Sequence, residues 1–201
     1  MSWDPPSAGP SATPEPGSAA AVAALGAPLL DALEQHLPGA RRHAEATAEL
    51  AHGIATRMAL GRERAELMRE AARLHDVGMV YVPAAVLRKG PAELTAADRK
   101  MLDGHIDAGS RLAAGAGIPA EVCAWILHTR ERWDGGGPAG LAGAEIPVGS
   151  RVIRVACAAD LMLAGAAPAA TVAGLRAAAG SELDPRVVEA VAGLVEPPVG
   201  G

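Results

Sequence analysis

The chain has no phenylalanine and only one tyrosine among its 201 residues, so bulky rings contribute little to its interior. Alanine, leucine, valine and glycine dominate instead. A core of small aliphatic side chains suits helices that pack closely against each other, and alanine and leucine favour the helical backbone. This composition predicts an all-α fold.

An excess of positive charge is also missing. The chain has 23 acidic and 18 basic side chains, which gives a formal charge of -5. Such a chain has no overall basic field that would attract nucleic acid or an anionic membrane, so neither DNA binding nor membrane binding is expected. An anionic substrate would need local cations or metal ions.

Cysteines and long apolar runs are scarce. Cys123 and Cys157 stand alone without CxxC spacing, which favours buried free thiols over a disulfide or a zinc knuckle and indicates a reducing cytoplasm. The apolar stretch at 19–30 is too short to span a bilayer, and Gly26 and Pro28 interrupt it. No basic residue precedes it, as a secretory signal requires, so we expect a soluble cytoplasmic protein.

Helical patterns follow one another from residue 19 onward. Residues 1–18 are rich in proline, serine and glycine, and we expect a disordered leader before a helical domain at 19–201. The segments 77–94 and 134–148 resemble loops. Apolar spacing predicts helices at about 19–36, 41–59, 62–76, 95–114, 119–133, 149–164, 168–179 and 185–195.

Two good metal ligands, His75 and Asp76, stand side by side at the end of the third predicted helix. Adjacent helical side chains diverge by about 100°, so the pair could bind one ion from two sides, or the carboxylate could bridge two ions. The same dipeptide at a helix end can also act as a cap or satisfy the helix dipole. The dipeptide alone leaves both interpretations open.

Three further residues on other helices have the same chemistry. His43 begins the second predicted helix, His105 lies on the fourth, and Asp160 sits within an apolar helix where an unpaired carboxylate would be costly to bury. Each also has a purely structural interpretation. His43 could be solvated, His105 could be a satisfied core histidine, and Asp160 could pair with Arg151 or Arg154.

The ordered pattern His, His-Asp, Asp resembles the HD superfamily of metal-dependent phosphohydrolases, whose ligands come from separate helices in this order. Longer stretches resemble its HD-GYP branch, so that the resemblance covers roughly residues 29–194. These stretches are LHDVGMVYVPAAVLRKGPAELTAADRKMLDGHIDAG, RERWDGGGPAGLAGAEIPVGSRVIRVACAADLM and SELDPRVVEAV. The resemblance implies an HD-domain bundle of about seven to eight helices.

The resemblance also implies a site and an activity. One or two divalent ions, Fe, Mn or Mg, would activate water and stabilise the charge that develops on a phosphodiester, with Asp76 as the bridging, catalytic carboxylate. The usual substrate of the HD-GYP branch is cyclic di-GMP, and a signalling protein or a second copy of the chain could be a partner. The implied metal ligands are His43, His75, Asp76, His105 and Asp160, and the implied substrate-binding residues are Glu131, Asp134, Gly137 and Pro138.

The sequence departs from the HD-GYP pattern at residues that would hold substrate. Met79 stands where the family has a lysine, Thr129 and Arg130 stand where it has two histidines before Glu131, and His128 is the nearest histidine. The loop WDGGGPAGL lacks the family's tyrosine, and the segment DLMLAGAAPAAT is short and apolar. Two alternatives therefore stay open: a degenerate signalling module without catalysis, and a phosphohydrolase for a different nucleotide.

Overall fold

A computed structural model of the chain describes residues 14–196. This part of the chain is helical and contains no strand, only an isolated bridge between Ala179 and Leu183, so the all-α prediction is confirmed for it. Its nine α-helices are α1 (Ala19–His36), α2 (Ala40–Arg57), α3 (Arg62–Leu74), α4 (Ala84–Leu87), α5 (Ala96–Gly115), α6 (Ala120–Leu127), α7 (Val148–Leu163), α8 (Pro168–Ala178) and α9 (Pro185–Val195). Short 3-10 helices lie at Val77–Tyr81 and Gly143–Glu145.

Seven of the eight predicted helices match the structure to within two residues at each end. The exception is the prediction for 119–133, because α6 already ends at Leu127. Beyond it, the backbone N–H groups of Trp133 and Asp134 donate to the carbonyls of Glu182 and Ser181, so they are not available to a continuing helix. The single turn of α4 and the 3-10 helix before it lie in a predicted loop, because such short elements have no periodic pattern.

The predicted disordered leader falls mostly outside the described residues, which begin at residue 14, and it stays a prediction. The last residues of the predicted domain, 197–201, also lie outside them. Just before α1, the Ser18 hydroxyl accepts a hydrogen bond from the backbone N–H of Ala21 at 3.3 Å. This N-cap fixes the start of the first helix.

The core lies where α2, α3 and α7 pack against each other, with α6 and α9 closing its sides. Small side chains at these contacts let the helix backbones come close, as the sequence predicts. Fully buried examples are Ala48, Ala51, Ala71 and Ala156. The buried Trp125 fills the space over α7, where Gly149 leaves room for it; a Cβ at that position would overlap the indole ring. None of the described helices is both long enough and apolar enough to cross a bilayer.

Candidate metal centre

The helices bring His43, His75, Asp76 and His105 to one cleft of about 960 Å³, and Asp160 lies against His43. His43 lies in the first turn of α2, His105 on α5, and Asp160 near the end of α7. His75 is the C-cap of α3, and Asp76 follows it where the helix gives way to the 3-10 segment. The ligands therefore come from four helices that are far apart in the sequence.

Gly78 determines how closely α5 approaches this turn. A Cβ at Gly78 would overlap the carbonyl oxygen of His105 and lie 2.5 Å from the backbone nitrogen of Gly109. Only glycine leaves room for that contact. The close approach places Nε2 of His105 3.3 Å from Oδ1 of Asp76.

Asp76 is the centre of the cluster. Nε2 of His75 lies 3.3 Å from its Oδ2, and Nε2 of His43 lies 3.7 Å from the same oxygen. The Asp76 side chain is 26 % exposed and lines the cleft, whereas the rings of His75 and His105 are buried. Three imidazole nitrogens thus surround one carboxylate that opens onto a cavity.

Backbone carbonyls fix the orientation of two of the rings. Nδ1 of His75 lies 2.7 Å from the carbonyl oxygen of Ala72, and Nδ1 of His105 bonds in the same way to the carbonyl of Leu102. Because a carbonyl can only accept, each Nδ1 donates its hydrogen and each Nε2 points toward Asp76. Metal-binding histidines are commonly oriented by such bonds.

The Nε2 atom of His75 tests whether these residues fit a metal ion. It is buried and has no hydrogen-bond partner among the described residues. A buried polar atom without a partner is costly, so an orphan of this kind calls for an explanation. A cation between this nitrogen and the nearby carboxylate supplies one, and the residues therefore fit a divalent metal.

Asp160 joins the cluster through His43. Its Oδ2 accepts a hydrogen bond from Nδ1 of His43 at 2.6 Å. The structural alternative, a pair with Arg151 or Arg154, is not what the structure shows, because Arg151 pairs with Asp184 and Arg154 with Glu182. The role of Asp160 as a direct metal ligand stays a prediction.

Two of these groups have shifted pKa values. Burial raises the pKa of the Asp76 carboxyl, but the neighbouring His75 and His105 outweigh burial, and the net pKa lies well below its usual range. The pKa of His43 is raised above its ordinary value by hydrogen bonding with Cys157 and, against the effect of burial, with Asp160. Asp76 is therefore a carboxylate at neutral pH and suits a cation.

The predicted substrate-binding residues separate into two pairs. Gly137 and Pro138 line the cleft. The Glu131 carboxylate instead accepts hydrogen bonds from the backbone of its own loop, and Asp134 pairs with Arg132 and accepts from a backbone N–H. Glu131 and Asp134 thus shape the loop, and a substrate-binding role for the four stays a prediction.

Sequence reasoning missed residues of α7 that face the cleft. Arg154, Cys157, Ala158 and Leu161 line it, at the i, i+3, i+4 and i+7 spacing of one helix face. Cys157 lies three residues before Asp160 on the same helix, and that spacing was a usable signal. His128, the histidine considered as a replacement ligand, is the C-cap of α6 and does not line this cleft.

Three arginines line the cleft, and each has an acidic partner. Arg130 lies 3.1 Å from Asp103, and both Arg132 and Arg154 contact Glu182, at 3.1 and 3.0 Å. Burial lowers the pKa of Arg154, while Glu182 opposes that effect. The cleft therefore contains cations, but their charge is already partly compensated.

Comparison with known proteins identifies the family. The family described as "HD domain" matches residues 28–187, which is most of the chain. The chain belongs to the HD domain family. HD-domain phosphohydrolases depend on metal ions, and here donor atoms of His43, His75 and Cys157 lie within 4.8 Å of one another.

The chain is similar to proteins that act on cyclic dinucleotides. It is 34 % identical over 173 residues to the cyclic di-GMP phosphodiesterase response regulator RpfG of Xanthomonas campestris pv. campestris, covering 81 % of this chain and 45 % of that protein. The chain thus spans less than half of that relative's length.

Solved structures share the fold. The HDG"Y"P protein Bd1817 from Bdellovibrio bacteriovorus aligns with a TM-score of 0.67 at 17 % identity, over 78 % of this chain and 52 % of that one. The HD domain of the L. monocytogenes phosphodiesterase PgpH, solved with cyclic di-AMP, aligns with a TM-score of 0.62 at 14 % identity, over 84 % of this chain and 93 % of that one. At these identities the likeness concerns the fold alone.

Proposed function

We propose that this chain is a metal-dependent phosphodiesterase that hydrolyses a cyclic dinucleotide, with cyclic di-GMP as the first candidate. The observation that carries the proposal is the convergence of three imidazole Nε2 atoms on Asp76, within 3.7 Å, at the edge of a large cleft. Imidazoles and a carboxylate suit divalent ions such as Fe, Mn or Mg. The proposed metal-holding residues are His43, His75, Asp76, His105 and Asp160.

A divalent ion bound by these residues would supply Lewis acidity toward both the phosphodiester and an attacking water. The chain's own residues set the geometry. The carbonyls of Ala72 and Leu102 hold the rings of His75 and His105, and the low pKa of Asp76 keeps it charged. No nucleophile from the protein is needed, because the water attacks phosphorus and a P–O ester bond breaks.

The cleft supports a ligand of dinucleotide size. Its volume of about 960 Å³ lies at the upper end of the range usual for small-molecule sites. Arg130, Arg132 and Arg154 line it and can approach the two phosphates of a cyclic dinucleotide. Met79, which stands where the family has a lysine, lines the same cleft. The names of the relatives support this substrate class.

Turnover measurements test the proposal. Wild-type protein loaded with Mn²⁺ or Fe²⁺ is assayed with cyclic di-GMP, cyclic di-AMP, cyclic GMP-AMP and a generic phosphodiester, beside Asp76→Asn and the matched control Asp107→Asn. Asp107 is exposed on α5 and pairs with Arg111. We expect the wild type and Asp107→Asn to hydrolyse one of the cyclic dinucleotides and Asp76→Asn to lose at least about 100-fold in rate, since it lacks the central carboxylate. Equal rates for wild type and Asp76→Asn would refute the proposal.

The second candidate is a non-catalytic signalling module that binds a nucleotide or a protein. The ion pairs of the three cleft arginines favour this candidate, because Asp103 and Glu182 compete with phosphate for the arginines. Titration calorimetry separates the two: cyclic di-GMP binding without turnover, under every metal tested, supports the module. A homodimer or a signalling-protein partner belongs to the same proposal. A cytoplasmic location is also proposed, because it suits the free thiols of Cys123 and Cys157.

A further inference from the structure

Cys157 places a thiol inside the proposed metal centre. It lies on α7, is half-buried and lines the cleft, and its Sγ is 3.7 Å from Nε2 of His43. A single cysteine near a histidine is no evidence of a site. Free cysteines are usually small core residues, which is also how the sequence pattern presents this one.

An independent observation at the same place points to a ligand. The side chain of His75 is 4 % exposed, and its Nε2 has no hydrogen-bond partner among the described residues. Donor atoms of His43, His75 and Cys157 all lie within 4.8 Å of one another. The orphaned nitrogen and the thiol therefore face the same small volume.

The separations fit donors around one ion. Donors at about 2.0–2.3 Å from a tetrahedral ion are separated from each other by about 3.3–3.8 Å. Nε2 of His43 lies 3.7 Å from Sγ and 3.7 Å from Oδ2 of Asp76, and that oxygen lies 3.3 Å from Nε2 of His75. These three separations match such a set, and the donor atoms of His43, His75 and Cys157 all lie within 4.8 Å of one another.

Asp160 contacts the other edge of the His43 ring. Its Oδ2 accepts from Nδ1, whereas the thiol faces Nε2. The two ring nitrogens point away from each other, so Oδ2 of Asp160 holds the ring while Nε2 faces the thiol. That arrangement is typical of a carboxylate that orients a metal-binding histidine from behind.

The geometry points to Cys157 as a thiolate ligand of the metal ion, at the edge of the His43 ring opposite the one that Oδ2 of Asp160 holds. This inference rests on the metal binding in the proposed function and adds a donor to it. A thiolate favours softer ions, so the site selects Zn²⁺, Co²⁺ or Fe²⁺ over Mn²⁺ and Mg²⁺ more strongly than a site of imidazoles and carboxylates. The thiol proton is released when the ion binds.

Cobalt provides a readout that does not depend on hydrolysis. The full chain is titrated with Co²⁺, and the sulfur-to-cobalt charge-transfer absorption is followed in wild type, Cys157→Ser, Cys157→Asp, Asp160→Asn and the control Cys123→Ser. Cys123 is a free thiol whose Sγ is 3.4 Å from the carbonyl of Ile118. We expect the band in wild type, Cys123→Ser and Asp160→Asn, and its absence from both Cys157 variants.

Affinities give a second measure of the thiolate. Asp160→Asn should keep the band, because the thiolate is intact, while weakening Co²⁺ binding by about 10–100-fold. Cys157→Ser should lose the band and weaken Co²⁺ binding as well. Cys157→Asp should bind Mn²⁺ at least as tightly as the wild type and lose its preference for Zn²⁺. Circular dichroism checks that each variant is folded. In a second test, on the unmutated chain, bound Zn²⁺ should protect Cys157 from alkylation.

Each outcome has a distinct meaning. A wild type that binds Co²⁺ without the band, and as tightly as Cys157→Ser, overturns the inference whether or not the protein hydrolyses a dinucleotide. A wild type with the band but no turnover of any substrate refutes the proposed function and leaves the thiolate ligand standing. Failure to bind Zn²⁺, Co²⁺ and Mn²⁺ alike overturns both.

Discussion

Gly78 is the single residue whose size most directly affects the metal centre. It lies in the 3-10 segment after Asp76, against the backbone of α5 at His105 and Gly109. A methyl group has no space there, and the obstacle is backbone, which cannot rotate aside. Any larger residue must therefore move α5, and His105 with it.

We predict that Gly78→Ala destabilises the fold and weakens metal binding together. Overpacking against backbone typically costs about 1–3 kcal/mol in the free energy of unfolding. Urea unfolding measures the stability, and isothermal titration with Zn²⁺ measures the affinity.

Gly104→Ala is the matched control, because Gly104 lies next to His105 on α5 and has no neighbouring atom within 4 Å of an added Cβ. That change should stabilise the protein by about 0.5–1 kcal/mol, since alanine is the better helix former, and should leave metal affinity unchanged. An equal response of the two variants would show that the contact with α5 does not position His105.

At the scale of one element, the start of α5 is fixed by a capping box. The Thr95 hydroxyl accepts from the backbone N–H of Asp98 at 3.1 Å, and the Asp98 carboxylate accepts from the backbone N–H of Thr95 at 2.8 Å. Lys89 adds an ion pair to the same carboxylate at 2.7 Å. Both hydrogen bonds of a capping box are therefore present at the start of α5.

The pKa of Asp98 gives the cap a pH dependence. Hydrogen bonds from Lys89 and then Thr95 lower that pKa from 3.8 to about 2. A carboxyl whose pKa is lower in the folded state stabilises the fold above its unfolded pKa, and this stabilisation is lost as the pH falls through the folded value. The contribution of Asp98 is therefore complete above about pH 4 and disappears toward pH 2.

We predict that the free energy of unfolding of Asp98→Asn depends less on pH in the acid range than that of the wild type. The wild type loses this stabilisation between about pH 4 and pH 2, whereas the variant lacks it at every pH and is less stable at pH 7. Denaturant unfolding at steps from pH 2 to pH 7 measures the difference. Lys89→Gln should show an intermediate slope, and parallel curves for wild type and Asp98→Asn would contradict the assignment.

At the scale of the whole molecule, Arg151 and Asp184 join three distant parts of the chain. Asp184 is the N-cap of α9, its side chain is fully buried, and its carboxylate accepts from Arg151 of α7 at 2.6 Å. Arg151 also donates to the carbonyl of Ile146 and lies over the ring of Trp133. The pair thus fixes α9 and the loop before α7 to the core.

We predict that Asp184→Ala destabilises the protein by about 3 kcal/mol, because it leaves the Arg151 charge without its buried partner and removes a helix cap. For a chain of this size the midpoint of thermal unfolding should fall by roughly 6–12 °C. Differential scanning calorimetry measures it.

Glu189→Ala is the control on the same helix. Glu189 pairs with Arg176 at an exposed surface, where ion pairs contribute little, so its effect should be small. If the two variants unfolded at the same temperature, the Arg151–Asp184 pair would not hold α9 in place.

Much of the fold could be predicted from the sequence because helix signals are local. The apolar spacing of α2, α3 and α7 lies within each segment, as do the capping box at Thr95 and the proline that begins α9. The end of α6 could not be predicted, because the backbone partners of Trp133 and Asp134 come from the segment before α9, some fifty residues away. Local propensity contains no information about such partners.

The candidate site, too, could be predicted from the sequence only in part. Residue type and order were enough to select His43, His75, Asp76 and His105, because few other side chains suit a divalent ion and the family pattern orders them. The mutual distances of these groups depend on how α2, α3 and α5 pack, and above all on the close contact at Gly78.

Cys157 and Asp160 show most clearly what the sequence alone does not determine. By itself the sequence determined that both lie on one face of α7, because they are three residues apart on a helix. Only the tertiary structure decided that the thiol faces Nε2 of His43 and the carboxylate faces Nδ1. The physical reason is that the position of α2 across from α7 sets which edge of the imidazole each group meets, and that position results from the packing of the whole core.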